Sequence, residues 1–497
     1  MQNFLLTIAS AIILAIAAAF AAPLVIDWTQ WRSTFEAQAA RAVGAPVAIR
    51  GKIDAQILPT PTLVLRDVAI GSDAAGTGVT ISEVQGTFQL SALFRGAFVA
   101  DHLTLVKPRG RLMLDAAGKL ALPAKSAHPA GFTAARLTVQ NGTLDVTDGA
   151  SGRAFRLDDI DLTGDVGAIA GPLRLDGEIE SDGVRRKLKL GLAAPEPAGG
   201  SRLRFTLQDV KSALSLEADG MVRLAGGQPS FDGKASLGLS DRLRSPAANA
   251  PALRGSDAPG APVSNGWTLS GTVNATPALI EAGQLSLTLG SVERPIELSG
   301  SGRLIGSKAG QSGSKLELAL AARQIDLNAA TANAPPLAAL NAIATTIAPL
   351  ADYAATGALD LSSDTVLISG AAMREVRVGL DWSGEGWRAR NIEARLPGRA
   401  SVKLAGRLPQ PGQAITGQAN AGQAVASLFS GDVSLNAEDL PAFAGWAAPE
   451  SITLLAGLPT GGAKLDAAIT IGDARIDLSR MTATMGEVKL TGRAGYA

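Results

Sequence analysis

From Val47 onward the chain alternates apolar and polar residues in short runs broken by Gly, Asp and Asn. In "LPTPTLVLRDVAIG" (58–71), Leu63 and Leu65 point one way on an extended chain while Thr62, Val64 and Arg66 point the other. That is the pattern of a half-buried strand. "VQGTFQL", "DHLTLVKP", "GRLMLD", "ARLTVQNGTLDVTD", "FRLDDIDLTG" and "RKLKLGL" repeat it. Their spacing of roughly 8–12 residues is the signature of an all-β chain. Asn141-Gly142 predicts a hairpin turn, because both residues tolerate positive φ.

A second motif runs through the strands: apolar, gap, Gly, gap, apolar, as in "LRLDGEI", "LEADGMVRL", "TLSGTVNA", "ELSGSGRL", "VKLAGRL" and "VKLTGRA". Glycine inside a strand marks a bulge, a bend or a close backbone approach. The fold expected is mainly β: one elongated, curved antiparallel sheet with an apolar groove, an N-terminal transmembrane helix and a few short helices. A set of separate sandwich domains with glycine-rich turns fits the periodicity equally well.

Four segments break the alternation. After a short tail (1–3), residues 4–26 run without a charge, long enough to span a bilayer as an anchor. "AFAA" inside them offers a cleavage site for the competing signal-peptide reading, but the run exceeds the usual apolar core of about 7–15 residues. Residues 28–44 place Trp31, Phe35 and Gln38 or Ala39 at helical spacing ahead of Gly44 and Pro46. This short helix either lies at the membrane interface or packs under the first strands. Residues 241–266, rich in Pro, Ala, Gly and Ser, read as a linker between β-rich regions 47–240 and 267–497. Residues 334–355 carry a helical stripe (Leu337, Leu340, Ile343, Ile347, Leu350). A further helical or irregular stretch is expected over 423–448.

Composition narrows the chemistry. Over 497 residues, Lys+Arg and Asp+Glu balance at 45 each, which gives no electrostatic reason to bind nucleic acid. Cysteine is absent, and His102 and His128 are the two histidines. Neither "GxSxG" nor "HExxH" occurs, and "GGQPSFDGKA" fails as a phosphate loop. Asp158, Asp159, Asp161 and Asp165 cluster in "LDDIDLTGD", but alternation sends neighbours to opposite faces. No catalytic residue, cofactor or metal is therefore expected.

"VGAPVAI" (43–49), the strand "LPTPTLVLRDVAIG" and "LSALFRGAFVADHLTLVKPRGRLMLDAAGKLAL" (90–122), following a membrane helix, resemble the AsmA family. "LTVQNGTLDVTDGASG", "GPLRLDGEI" and "LPGRASVKLAGRL" are similar in kind, and the first 180 residues match best. The last residues, "GEVKLTGRAGYA", still read as strand, as in a short or incomplete member. The resemblance implies a single-pass anchor in the bacterial inner membrane and a periplasmic β-rich body. It also implies a role in outer-membrane lipid homeostasis, in the manner of bridge-type lipid transfer proteins. The partners implied are phospholipids, the inner membrane and outer-membrane components. An alternative role is as a non-enzymatic regulator or scaffold of outer-membrane protein assembly and of protein targeting to the membrane. Leu63, Leu65, Leu103, Leu105, Leu112, Leu114, Leu137 and Val139 are candidates to line the groove, with a closed core as the competing fate. Arg109 and Arg111 are candidates to meet phosphate headgroups.

Overall fold

The computed structural model describes residues 27–56, 60–72, 77–89, 99–120, 133–167, 172–197, 199–212, 214–239, 267–289, 295–306, 313–328, 354–368, 370–408, 427–447, 461–472 and 476–496. The anchor at 4–26, the linker at 241–266 and the helical stripe of 334–355, save its last residues, lie outside them. Among the described residues no helix is long and apolar enough to cross a membrane.

The chain divides into two units, Met1–Ser245 with Val273–Pro277, and Pro246–Thr272 with Ala278–Ala497. Strand β13 (Trp267–Ala275) holds the point of division.

In the first unit a 3-10 turn (Trp28–Trp31) leads into helix α1 (Arg32–Val43), which ends where Gly44 adopts φ 76° and donates to the Ala40 carbonyl at 2.8 Å. Positive φ is the conformation glycine favours at a helix C-terminus. The strands that follow are β1 (Val47–Ile49), β2 (Ile53–Gln56), β3 (Thr62–Ser72), β4 (Thr77–Phe88), β5 (Val99–Leu114) and β6 (Thr133–Asp148). Then come β7 (Ala154–Val166), β8 (Leu173–Ser181), β9 (Val184–Leu192), β10 (Ser201–Asp209), β11 (Leu214–Ala225) and β12 (Gln228–Leu239). β1 and β2 share one edge of β3, and from β3 to β12 each strand pairs with the next.

Two expectations are corrected here. β5 and β6 run parallel, so the sheet is mixed rather than antiparallel. Asn141-Gly142 makes no hairpin; it lies inside β6, where Asn141 takes φ 51°. The left-handed residue that the dipeptide signals is present, but it serves a bulge, and the Asn141 amide donates to Asp161 Oδ1 at 2.8 Å instead of to the ladder. Asp67 in β3, Lys107 in β5 and Asp159 in β7 take the same conformation at matching register, a crease across neighbouring strands. "DHLTLVKP" and "GRLMLD" are likewise one strand, β5, interrupted at Lys107.

The sheet of this unit coils. Leu120 N donates to the Gly227 carbonyl at 2.8 Å and Gln228 Nε2 to the Ala117 carbonyl at 2.9 Å. Those bonds join the turn after β5 to the β11–β12 hairpin across five intervening strands, a separation of about 29 Å if the sheet were flat. Glycines permit the coil. A Cβ at Gly177 would stand 2.0 Å from the Asp161 carbonyl oxygen, so no larger residue fits without moving backbone.

The second unit contains β14 (Leu279–Leu289), β15 (Ile296–Ile305), β16 (Lys315–Asp326), β17 (Thr356–Ile368), β18 (Ala371–Ser383), β19 (Gly386–Leu396) and β20 (Ala400–Leu408). β21 (Ser427–Ala437), helix α2 (Leu440–Ala447), β22 (Ala463–Gly472), β23 (Ile476–Met485) and β24 (Val488–Tyr496) follow. Its described strands also pair in sequence, with one parallel pair, β16–β17. The stretch 423–448, expected to be helical or irregular, is a strand followed by a helix where it is described. The alternation of Phe429, Gly431, Val433 and Leu435 fits β21 between its neighbours β20 and β22.

Candidate apolar binding face

Directly opposed residues share a face of a sheet, so the register shows which side chains form continuous rows. In the first unit one row runs Ile53, Leu65, Val84, Leu105, Val139, Leu162, Gly177, Leu188, Leu207, Leu216, Leu237, one residue from each strand β2 to β12. The adjacent row includes Leu63, Gly86, Leu103, Leu137, Gly164, Leu175, Leu190, Phe205 and Ala218. A third adds Leu173, Leu192 and Leu203. At about 4.8 Å per strand, ten intervals make an uninterrupted apolar band roughly 48 Å long, measured along the coiled sheet.

The other face is its complement. Asp165 stands opposite Arg174, Asp176 opposite Lys189, and Glu178 opposite Lys187. Opposed charges of this kind stabilise a ladder. Arg202 and Arg204 both reach Asp219, at 2.9 and 3.0 Å, and hold its carboxyl down at about 2. Arg66 bonds Asp54 at 2.8 Å and Glu83 at 3.3 Å. The charged face is mostly exposed, whereas the apolar rows of β8 to β12 are half-buried, which places the apolar face inside the coil.

The eight apolar candidates named from the sequence all lie on this one face. Strict alternation along β5 would put Leu112 and Leu114 opposite Leu103 and Leu105. The extra residue at Lys107 shifts the phase and returns them to the same side. Leu63, Leu103, Leu105, Leu112, Leu114, Leu137 and Val139 are half-buried. Leu65 is different. At 7% exposure it belongs to a closed cluster with Ile49, Ile53, Val68 and Ile81, against which Trp28 and Phe35 pack. Helix α1 thus covers the β1–β4 end of the band, held there by Glu36 Oε1 accepting from Ile49 N at 2.7 Å and by Arg32 donating to the Gly51 carbonyl at 3.0 Å. Of the two fates open to this helix, packing beneath the first strands is present.

The same phase shift places Arg109 and Arg111. They stand beside Thr143 and Asp145 on the charged face, exposed, and do not line the apolar band. The aspartates of β7 have structural partners: Asp158 bonds Arg156 at 2.8 Å, Asp159 lies 3.9 Å from Arg185, and Asp161 accepts from Asn141. Among the described residues no group of acidic or histidine side chains could hold a metal ion.

Residues 1–206 match the AsmA family. The match supports an AsmA assignment for this part of the chain. The matched residues contain α1, which closes one end of the band, and carry the band from β2 into β10. The comparisons with curated proteins and with solved structures gave no match. The rows on β8 to β12 were missed as lining residues from sequence, although "LRLDGEI", "RKLKLGL" and "RLRFTLQD" carry the signal in plain alternation.

Proposed function

We propose that the protein is a membrane-anchored carrier of phospholipid, which holds acyl chains along the apolar face of its first unit and passes them between the inner and outer membranes of a bacterial envelope. The observation that supports this reading is the band itself: apolar rows continuous over β2–β12 on one face only, closed by α1 at the β1–β4 end and half-buried rather than sealed from β5 to β12. Exposing an acyl chain to water costs about 0.8 kcal/mol per CH₂. A continuous apolar surface removes that cost at every position along the path and requires no catalytic residue, so the protein acts by binding. The AsmA region agrees with this role. Residues 4–26 supply the anchor and the body lies in the periplasm.

The test is site-specific photocrosslinking in cells. Crosslinkers at Leu190 and Phe205, on the band, capture phospholipid; crosslinkers at Lys189 and Thr206, on the charged face of the same strands, do not. Equal capture at both pairs, or none at either, would refute the carrier.

A further inference from the structure

One charged side chain breaks the rows at their margin without belonging to a turn. Along β9, Val184, Arg186, Leu188, Leu190 and Leu192 fall on the apolar face, while Arg185, Lys187 and Lys189 fall on the charged one. Arg186 stands between Ile179 of β8, 6% exposed, and Asp209 of β10. Among the described strand residues placed on the apolar face of either unit, it is the one cation.

Its nearest carboxylate, Asp209, attracts it across the strand pair but stands beyond direct ion-pair contact. The guanidinium donates from Nη1 to the Ser181 carbonyl at 2.9 Å, a neutral acceptor, and makes no ion pair among the described residues. Asp209, the adjacent carboxylate, is committed to the turn that follows it. It accepts from Lys211 N at 2.7 Å, from Ser212 N at 3.2 Å and from Ser212 Oγ at 2.6 Å. Those bonds lower its pKa, with Arg186 contributing the smallest part. A half-buried arginine with unused donors beside an apolar surface is suited to a phosphate, which its planar fork can meet with two hydrogen bonds.

We propose that Arg186 is the headgroup site of the band: it binds the phosphate of a lipid whose acyl chains lie over Leu188, Leu190, Leu207 and Phe205. The proposal rests on the carrier reading and adds to it a preference for lipids bearing an anionic phosphate.

The test uses the full chain in detergent micelles containing radiolabelled phosphatidic acid or the diacylglycerol with the same acyl chains. The wild-type chain retains phosphatidic acid about tenfold more than diacylglycerol, the gain expected from charge-assisted hydrogen bonds. Arg186→Gln, which removes the charge and keeps a polar side chain, loses that preference and keeps diacylglycerol at the wild-type level; Arg186→Lys restores most of it. Circular dichroism confirms that each variant keeps its strands. Preference undiminished in Arg186→Gln overturns the site and leaves the carrier standing. Retention of neither lipid by the wild-type chain overturns the carrier itself. Glycerol phosphate that binds as tightly as phosphatidic acid overturns the lipid source in favour of a free anion.

Discussion

The two units follow one plan and finish it differently. Each pairs its described strands in sequence order, inserts one parallel pair (β5–β6, β16–β17) and alternates an apolar face with a charged one. In the second unit the apolar face is filled at its centre. Trp382 and Trp387 stack with centroids 4.9 Å apart, both nearly inaccessible, amid Leu320, Leu359, Val366, Leu380 and Ala389. Trp382 Nε1 donates to the Ala354 carbonyl at 3.0 Å, and its ring lies where a Cβ on Gly357 would be, 2.0 Å away. In the first unit no tryptophan stands on that face from β8 to β12, and Ile179 is the one buried large side chain there. Alternation creates an apolar face in both cases. Side-chain volume decides whether that face becomes a core or stays available.

Truncating the two faces separates them most sharply. Trp382→Ala leaves a large cavity and costs roughly 3–5 kcal/mol. Phe205→Ala, on the half-buried face, costs about 1 kcal/mol. Hydrogen exchange reads each unit on its own: protection falls steeply in β17–β19 for the first variant and little in β9–β11 for the second. Equal losses would mean that both faces are closed cores.

The coil of the first unit is the next target. Gly177→Ala drives a methyl group into the Asp161 carbonyl and costs about 1–3 kcal/mol. Exchange should rise in β7 and β8 and leave β17–β19 unchanged. An unaltered pattern would show that the close approach is absent in solution.

The smallest effect belongs to the charged face. Asp219 titrates near 2 rather than at its ordinary 3.8, because Arg202 and Arg204 bond its ionised form. A depressed pKa gives stability present above the unfolded value and lost as pH falls from 3.8 toward 2, and at an exposed site that contribution is slight. Carboxyl NMR of Arg202→Gln/Arg204→Gln should show Asp219 returning toward 3.8. A pKa still near 2 would remove the arginines as the cause.

Much of this was legible in the chain, residue by residue. Period-two alternation in "PTLVLRD" and "RKLKLGL" gave the strands and the apolar side of each. Helical spacing with Gly44 gave α1, and glycine within strands gave the bends. Arg186 keeps phase with Leu188, Leu190 and Leu192, so even its place on the apolar face could be counted. The misread positions are those where one residue changes the count. Lys107 and Asn141 each insert a left-handed residue into a long strand, and nothing local distinguishes a bulge from a turn. Arg109 and Arg111 moved to the charged face for that reason alone.

By itself, then, the sequence determined which residues face together within each uninterrupted run, because strand geometry has a fixed period that composition can match. Which runs join, which pair runs parallel, and whether the shared face is filled or open were decided by the tertiary structure. Those outcomes depend on contacts between residues far apart in the chain: Gly227 with Leu120, Trp382 with Ala354 and with Gly357. No local pattern encodes such distances.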